Sequence, residues 1–165
     1  MDDIQTDGTA RGEHSALVAL GSNLGDRESY LRFAVAELGD VVAMSQVFET
    51  EPVGGPDQQG AYLNMVVEVR TALDPFEFIR LCQRIETEAQ RERTVHWGPR
   101  TLDVDLLFFD DAHIESDELT VPHPRIAERR FVLAPLSEIA PERCPADWDT
   151  TLPPCEVMPR GPLSR

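Results

Sequence analysis

No lysine occurs anywhere in this 165-residue chain; all 15 of its basic side chains are arginine. That absence excludes a Walker A phosphate loop, a Schiff-base lysine and a lysine general base. A lysine-free chain that handles phosphate must use arginine forks, metal ions and backbone amides. Cysteine is also scarce. Cys82, Cys144 and Cys155 are odd in number, widely spaced and without a CxxC pair, which indicates neither a disulfide framework nor a zinc knuckle. No apolar run approaches the ~18 residues of a membrane span, so no membrane partner is expected. Residues 1–14 are acidic and polar with no apolar stretch, unlike a secretory signal or an Arg-rich transit peptide. A cytoplasmic protein is the expectation.

What is present is mostly acidic. The formal net charge of −15 argues against binding nucleic acid or anionic membranes through the overall field. The arginines are nevertheless uneven. Arg80, Arg84, Arg91, Arg93 and Arg100 share one short segment, and Arg125, Arg129 and Arg130 form a second group. Clusters of arginine against an acidic background point to phosphate more than the total charge does.

Length and the lack of repeats suit one domain with a full core. Residues 1–14 lack periodicity and read as a disordered acidic tail. Ala16 to Leu20 is a short apolar strand ending at the turn signal Gly21-Ser22-Asn23. Asp26 is placed to cap a helix carrying Leu31, Val35 and Leu38 and stopped by Gly39. Val41 to Thr50 reads as one strand, and Glu51 to Gly60 as a loop. Asn64 to Arg70 alternates Met65, Val67 and Val69 against Asn64, Val66, Glu68 and Arg70, which suits a strand. Asp74-Pro75-Phe76-Glu77 supplies a cap residue, a first-turn proline and a glutamate for a capping box. Ile79, Cys82, Ile85 and Ala89 then mark the buried face, and Gln90 to Gly98 is polar and irregular. A short helix follows over Phe131 to Ala140, and from Pro141 proline and polar residues end the core.

The order strand, helix, strand, strand, helix, strand is that of a ferredoxin-like α+β sandwich. The expected form is an antiparallel sheet with helices packed on it, a three-layer variant with the additional late helix. The expected division is the tail over 1–14, one domain over 15–141 and a Pro-rich C-terminal extension over 142–165.

The chemistry concentrates in Trp97-Gly98-Pro99-Arg100-Thr101-Leu102-Asp103-Val104-Asp105 and the apolar run to Phe109. On a strand, Asp103 and Asp105 point one way, about 7 Å apart, while Leu102, Val104 and Leu106 point the other. Two like charges on one face repel unless a cation or protons intervene. Oxygen-only ligation by two carboxylates favours Mg²⁺, with phosphate and water completing the octahedron. Such a pair is elsewhere simply solvated, but the apolar run that follows fits an exposed edge poorly. The arginines carry two readings, as phosphate partners or as a salt-bridge network with Glu86, Glu88 and Glu92. Asn64 is either a strand-start amide or a donor–acceptor pair for the edge of a heteroaromatic ring. His123, between prolines and ahead of an Arg-rich segment, is either structural or a phosphate donor.

Several stretches resemble, in order, the 6-hydroxymethyl-7,8-dihydropterin pyrophosphokinase family of folate biosynthesis. They are Ala19-Leu20-Gly21-Ser22-Asn23-Leu24-Gly25, Tyr62-Leu63-Asn64, Gln83-Arg84-Ile85-Glu86, the Trp97-to-Asp105 block and Leu119-Thr120-Val121-Pro122-His123-Pro124-Arg125. The likeness covers about residues 16–141. It implies transfer of the β,γ-pyrophosphoryl group of ATP to the hydroxymethyl group of the pterin, leaving AMP. It implies two Mg²⁺ ions on Asp103 and Asp105, with Arg91 and Arg100 joining them in catalysis. The pterin is expected between Tyr62 and Phe131, its edge read by Asn64, with Thr50, Val53, Gly54 and Trp97 contributing. Gln83, Glu86, Arg93, Trp97, Arg100, Thr120, His123 and Arg129 are expected on the nucleotide side.

No histidine or glutamate stands out as a general base, so the metal is expected to acidify the attacking hydroxyl. Glu118 stands where some family members carry a basic residue. The loops Glu51 to Gly60 and Gln90 to Gly98 are expected to close over ATP and pterin. The chain is expected to act as a monomer. A two-metal phosphohydrolase using the same aspartates, or a ligand-binding module without catalysis, remains as an alternative from another class.

Overall fold

The computed structural model describes residues 13–23, 25–50, 61–91, 102–152 and 157–164, with the backbone alone at Arg91. In chain order these form β1 (His14–Ser22), α1 (Arg27–Leu38), β2 (Asp40–Met44), β3 (Val47–Thr50), β4 (Tyr62–Thr71), α2 (Pro75–Arg91) and β5 (Asp103–Phe109). There follow β6 (Ile114–Glu115), β7 (Thr120–Val121), α3 (Arg130–Ile139), α4 (Trp148–Thr151) and β8 (Val157–Gly161). Residues 1–12 of the expected tail over 1–14 and the expected closing loops, apart from Gln90 and Arg91 at the end of α2, lie outside the described residues, and the last residue of that tail, His14, opens β1.

Among the described residues, six strands form one sheet in the order β5-β1-β4-β3-β8, with β2 also pairing β4. Every pairing is antiparallel. Alternation along β1 explains why the sheet is covered on both faces. Ala16, Val18 and Leu20 pack with Met65, Val67, Leu31, Phe78, Cys82 and Ile85 beneath α1 and α2. Leu17 and Ala19 pack with Val66, Leu107, Val132, Leu133 and Leu136 beneath α3. Leu102, Val104 and Leu106 fall in the first of these clusters, so the aspartates between them face the α3 side. Burial pushes the Cys82 thiol far above its usual range, which suits a small core residue.

Local signals act as expected at the helix starts. The Asp26 carboxylate accepts from the Ser29 amide and caps α1, and Gly39 closes it at φ +98°. Asp74 accepts from the Glu77 amide at 2.8 Å while Glu77 accepts from the Asp74 amide at 2.9 Å, a reciprocal capping box. Several boundaries differ from expectation. Strand β1 runs from His14 through Ser22, so Gly21 and Ser22, which the sequence reads as a turn, are paired strand residues. The single strand over Val41 to Thr50 is two strands, because Ser45 and Gln46 turn out of register: the Ser45 hydroxyl accepts from the Val66 amide, and the Gln46 amide donates to Glu138. Helix α2 continues through Gln90 and Arg91, which the sequence reads as irregular. The described residues beyond Ala140 include none that is fully buried, yet Val157–Gly161 adds an edge strand to the sheet through β3. That strand has no local signal, since its partner is more than 100 residues away.

Candidate active site

The alternation of β5 carries Asp103 and Asp105, each half-buried, onto one face. Register then decides what lies beside them. Asp103 pairs with Gly21 of β1, which pairs on its other side with Asn64 of β4; Asp105 pairs with Ala19, which pairs with Val66. Two small residues therefore separate the carboxylates from Asn64, and the space above them stays open. A cavity of about 310 Å³ results, lined by Ala19, Gly21, Thr50, Tyr62, Asn64, Asp103, Asp105, Arg129, Phe131 and Val132 among others. Thr50 and Asn64 are only 3 % and 7 % exposed, and the Asn64 amide nitrogen donates to the Thr50 hydroxyl at 2.9 Å. This bond sets the orientation of the amide. Phe131 enters from the start of α3, with the Arg129 guanidinium 5.7 Å from its ring centre.

A second cavity of about 210 Å³ lies on the α2 side, lined by Ile79, Gln83, Asp105, Leu106, Glu118, Leu119, Thr120, His123 and Pro124. Asp105 lines both cavities. The β5 backbone is pinned there, because the Val104 amide between the two aspartates donates to the Glu86 carboxylate of α2 at 2.7 Å. His123 is held by its own amide, which donates to the Leu107 carbonyl. Its Nδ1 accepts from the Arg125 amide at 3.2 Å, so the neutral ring carries its hydrogen on Nε2. Burial lowers the His123 pKa first of all, Asp105 opposes this, and Arg129 and Arg125 add to it. At neutral pH the ring is an uncharged donor. At the rim, Arg80 makes a two-pronged contact to Glu118, Nε to Oε2 at 2.7 Å and Nη2 to Oε1 at 3.1 Å. Among the described residues no three His, Cys, Asp or Glu side chains gather as a metal cluster. A cation on the aspartates would thus take its remaining oxygens from ligand and water, which is the habit of Mg²⁺.

The sequence pattern of the 7,8-dihydro-6-hydroxymethylpterin-pyrophosphokinase family matches residues 17–141. The chain belongs to this family. It is 55% identical over 129 residues to a 2-amino-4-hydroxy-6-hydroxymethyldihydropteridine pyrophosphokinase of Bacillus subtilis, covering 75% of this chain and 77% of that protein. The protein of the same name in Methylorubrum extorquens is 40% identical over 132 residues, covering 77% and 83%. Among solved structures, wild-type Plasmodium falciparum HPPK-DHPS with SDX-DHP aligns with a TM-score of 0.58 at 16% identity. The alignment covers 78% of this chain and 40% of that one, and at such identity it bears on the fold alone.

The structure gathers Thr50, Tyr62, Asn64, Asp103, Asp105 and Phe131 around the first cavity, and Gln83, Thr120 and His123 around the second. Arg129, expected on the nucleotide side, lines the first cavity beside Phe131. Glu86 does not line either cavity; its carboxylate holds the Val104 amide. Val53, Gly54, Arg93, Trp97 and Arg100 lie outside the described residues, as does the Arg91 side chain. Ala19, Leu20, Gly21, Met65 and Val132 also line the first cavity, and the sequence does not single them out as lining residues. The signal was the small pair at alternate positions of β1, but only the pairing of β1 between β4 and β5 gives it meaning.

Proposed function

We propose that this chain transfers the β,γ-pyrophosphoryl group of ATP to the hydroxymethyl oxygen of 6-hydroxymethyl-7,8-dihydropterin, releasing AMP. One observation carries the reading: Asp105 lines both cavities, so two ligands can meet at one carboxylate pair. The first cavity suits the pterin, with the rings of Tyr62 and Phe131 for its faces and the fixed amide of Asn64 for its edge. The second suits the nucleotide, with Gln83, Thr120 and His123 presenting polar groups and Ile79, Leu119 and Pro124 apolar ones.

The reaction is an in-line attack at the β-phosphorus, and the chain's task is placement and charge neutralisation. Asp103 and Asp105 would hold two Mg²⁺ ions, which supply charge neutralisation on the phosphates and acidify the attacking hydroxyl. His123 donates from Nε2 to a phosphate oxygen, and Arg129 meets developing charge at the border with the pterin cavity. Arg91, Arg93 and Arg100 complete the charge balance, and Trp97 covers the ligands. We read the sheet order β5-β1-β4-β3 as ferredoxin-like, with α1 and α2 below and α3 above as outer layers. Residues 15–141 are the catalytic unit, with 142–165 as an extension. We take the working unit as a monomer.

Incubation with MgATP and 6-hydroxymethyl-7,8-dihydropterin tests this directly. AMP should form only when the pterin is present, and Asp105→Ala should reduce its rate by roughly 10³-fold or more. Release of inorganic phosphate without pterin would sink the reading in favour of a phosphohydrolase.

A further inference from the structure

The family match ends at residue 141, yet the chain returns to the sheet sixteen residues later as β8. It pairs antiparallel with β3, placing Val157 beside Thr50, Met158 beside Glu49 and Pro159 beside Phe48. On its other side β3 pairs with β4 through Phe48–Asn64, Glu49–Leu63 and Thr50–Tyr62. Strand β3 is only four residues long, and Thr50 is its last. Without β8 this short strand would be the free edge of the sheet, and short edge strands open from their ends. The end residue here is the one whose hydroxyl fixes the Asn64 amide.

Side chains tie the same corner. The half-buried Glu49 accepts from Arg160 of β8 and from Arg27 at the start of α1. The same Arg27 Nη1 donates to the Ala61 carbonyl at 2.7 Å, immediately before Tyr62. The network therefore grips both strands that bring Thr50 and Tyr62 together. The Gly161 amide donates to Gln46 Oε1 at 3.1 Å, and the Ser164 hydroxyl donates to Glu28 at 2.9 Å. The C-terminal segment is thus docked along its length rather than touching at one point.

We propose that β8 and the Arg160–Glu49–Arg27 network position the pterin-reading amide: they hold Thr50 in place, and Thr50 holds Asn64. Arg160, Glu49 and Arg27 are positioning residues that touch no substrate. The proposal rests on the reading of the first cavity as the pterin site. An amide free to rotate must be ordered by the ligand, at a cost in affinity. Asp103, Asp105 and His123 stand on other elements and do not depend on β8.

The test uses the full chain with Arg160→Gln and Gly161→Ala together. Gly161 sits at φ +90° with open space around it, so alanine strains only the backbone there. In the ligand-free protein, the side-chain ¹⁵N–H signals of Asn64 should lose their separate fixed positions. Pterin should bind roughly tenfold more weakly, as for one lost hydrogen bond in a buried site, with the MgATP Kd unchanged. In an Asn64→Ala background the double variant should cause no further loss, whereas general unfolding of the corner would add its own. Unchanged Asn64 signals with unchanged pterin affinity overturn the proposal, as does a full additional loss in the Asn64→Ala background. Asn64 signals that respond in a protein that binds no pterin would retain the positioning role and overturn the ligand assignment instead.

Discussion

Gly21 occupies the point where three strands converge on the site, opposite Asp103 on one side and Asn64 on the other. A Cβ built there would lie 3.1 Å from the side-chain amide oxygen (Oδ1) of Asn64. Its backbone needs no special conformation, so the requirement for glycine is space alone. Gly21→Ala should push the Asn64 amide off its Thr50 partner and weaken pterin binding about tenfold, leaving MgATP affinity as it was. Calorimetric titration of each ligand separately checks both halves of that statement. At the other rim, Arg80 neutralises Glu118 in the wall of the second cavity. With the nucleotide in the second cavity as proposed, removing the arginine alone would leave a carboxylate facing a polyanion. Arg80→Ala should weaken MgATP binding by roughly two- to fivefold, the scale of an exposed pair, and Arg80→Ala with Glu118→Ala should restore it. Of these residues the aspartates were legible in the sequence, because period-two alternation is a local property. Gly21 was not, since its neighbours are set by pairing across 40 to 80 residues of chain.

Elements follow the same division. Helix α2 was readable down to the hydrogen bonds of its capping box, which depend on residues three apart. Asp74→Ala removes the acceptor for the Glu77 amide and should cost about 1 kcal/mol. In a chain of this size that is a fall in Tm of about 2–4 °C, measured by thermal unfolding, with catalysis unaffected. By contrast, nothing within Val41 to Thr50 signals its division into two strands. The break exists because β4 offers its Val66 amide to the Ser45 hydroxyl and α3 offers Glu138 to Gln46. Strand β8 is the extreme case, a short Pro-containing segment that becomes a strand because β3 presents an open edge.

At the scale of the whole molecule, close ion pairs work against a large net negative charge. Burial pushes the Asp110 carboxyl up, but the Ser15 amide, the His14 ring and Arg143 together hold it below its ordinary value. Hydrogen bonds from Arg160 and then Arg27 hold Glu49 down as well. A carboxylate with a lowered folded-state pKa contributes stability that is complete above its unfolded value, near 4. That contribution is lost as pH falls through the lower folded value. The urea midpoint should therefore drop below about pH 4, and Asp110→Asn should make the drop shallower. About 1 M salt, where the Debye length is ~3 Å, removes the long-range repulsion of the net charge and isolates the close pairs.

The order of residues settles what local chemistry can settle. It excluded lysine-based phosphate handling, placed two carboxylates on one strand face, wrote the helix starts and carried the ordered motifs of the family. Only tertiary pairing puts Asp105 at the border of two cavities, lays Gly21 and Ala19 between the carboxylates and the β4 residues Asn64 and Val66, and sets Val157 of β8 beside Thr50. The reason is physical. Alternation and capping act over two to four residues, whereas strand register and edge pairing join segments whose separation along the chain leaves no periodic trace.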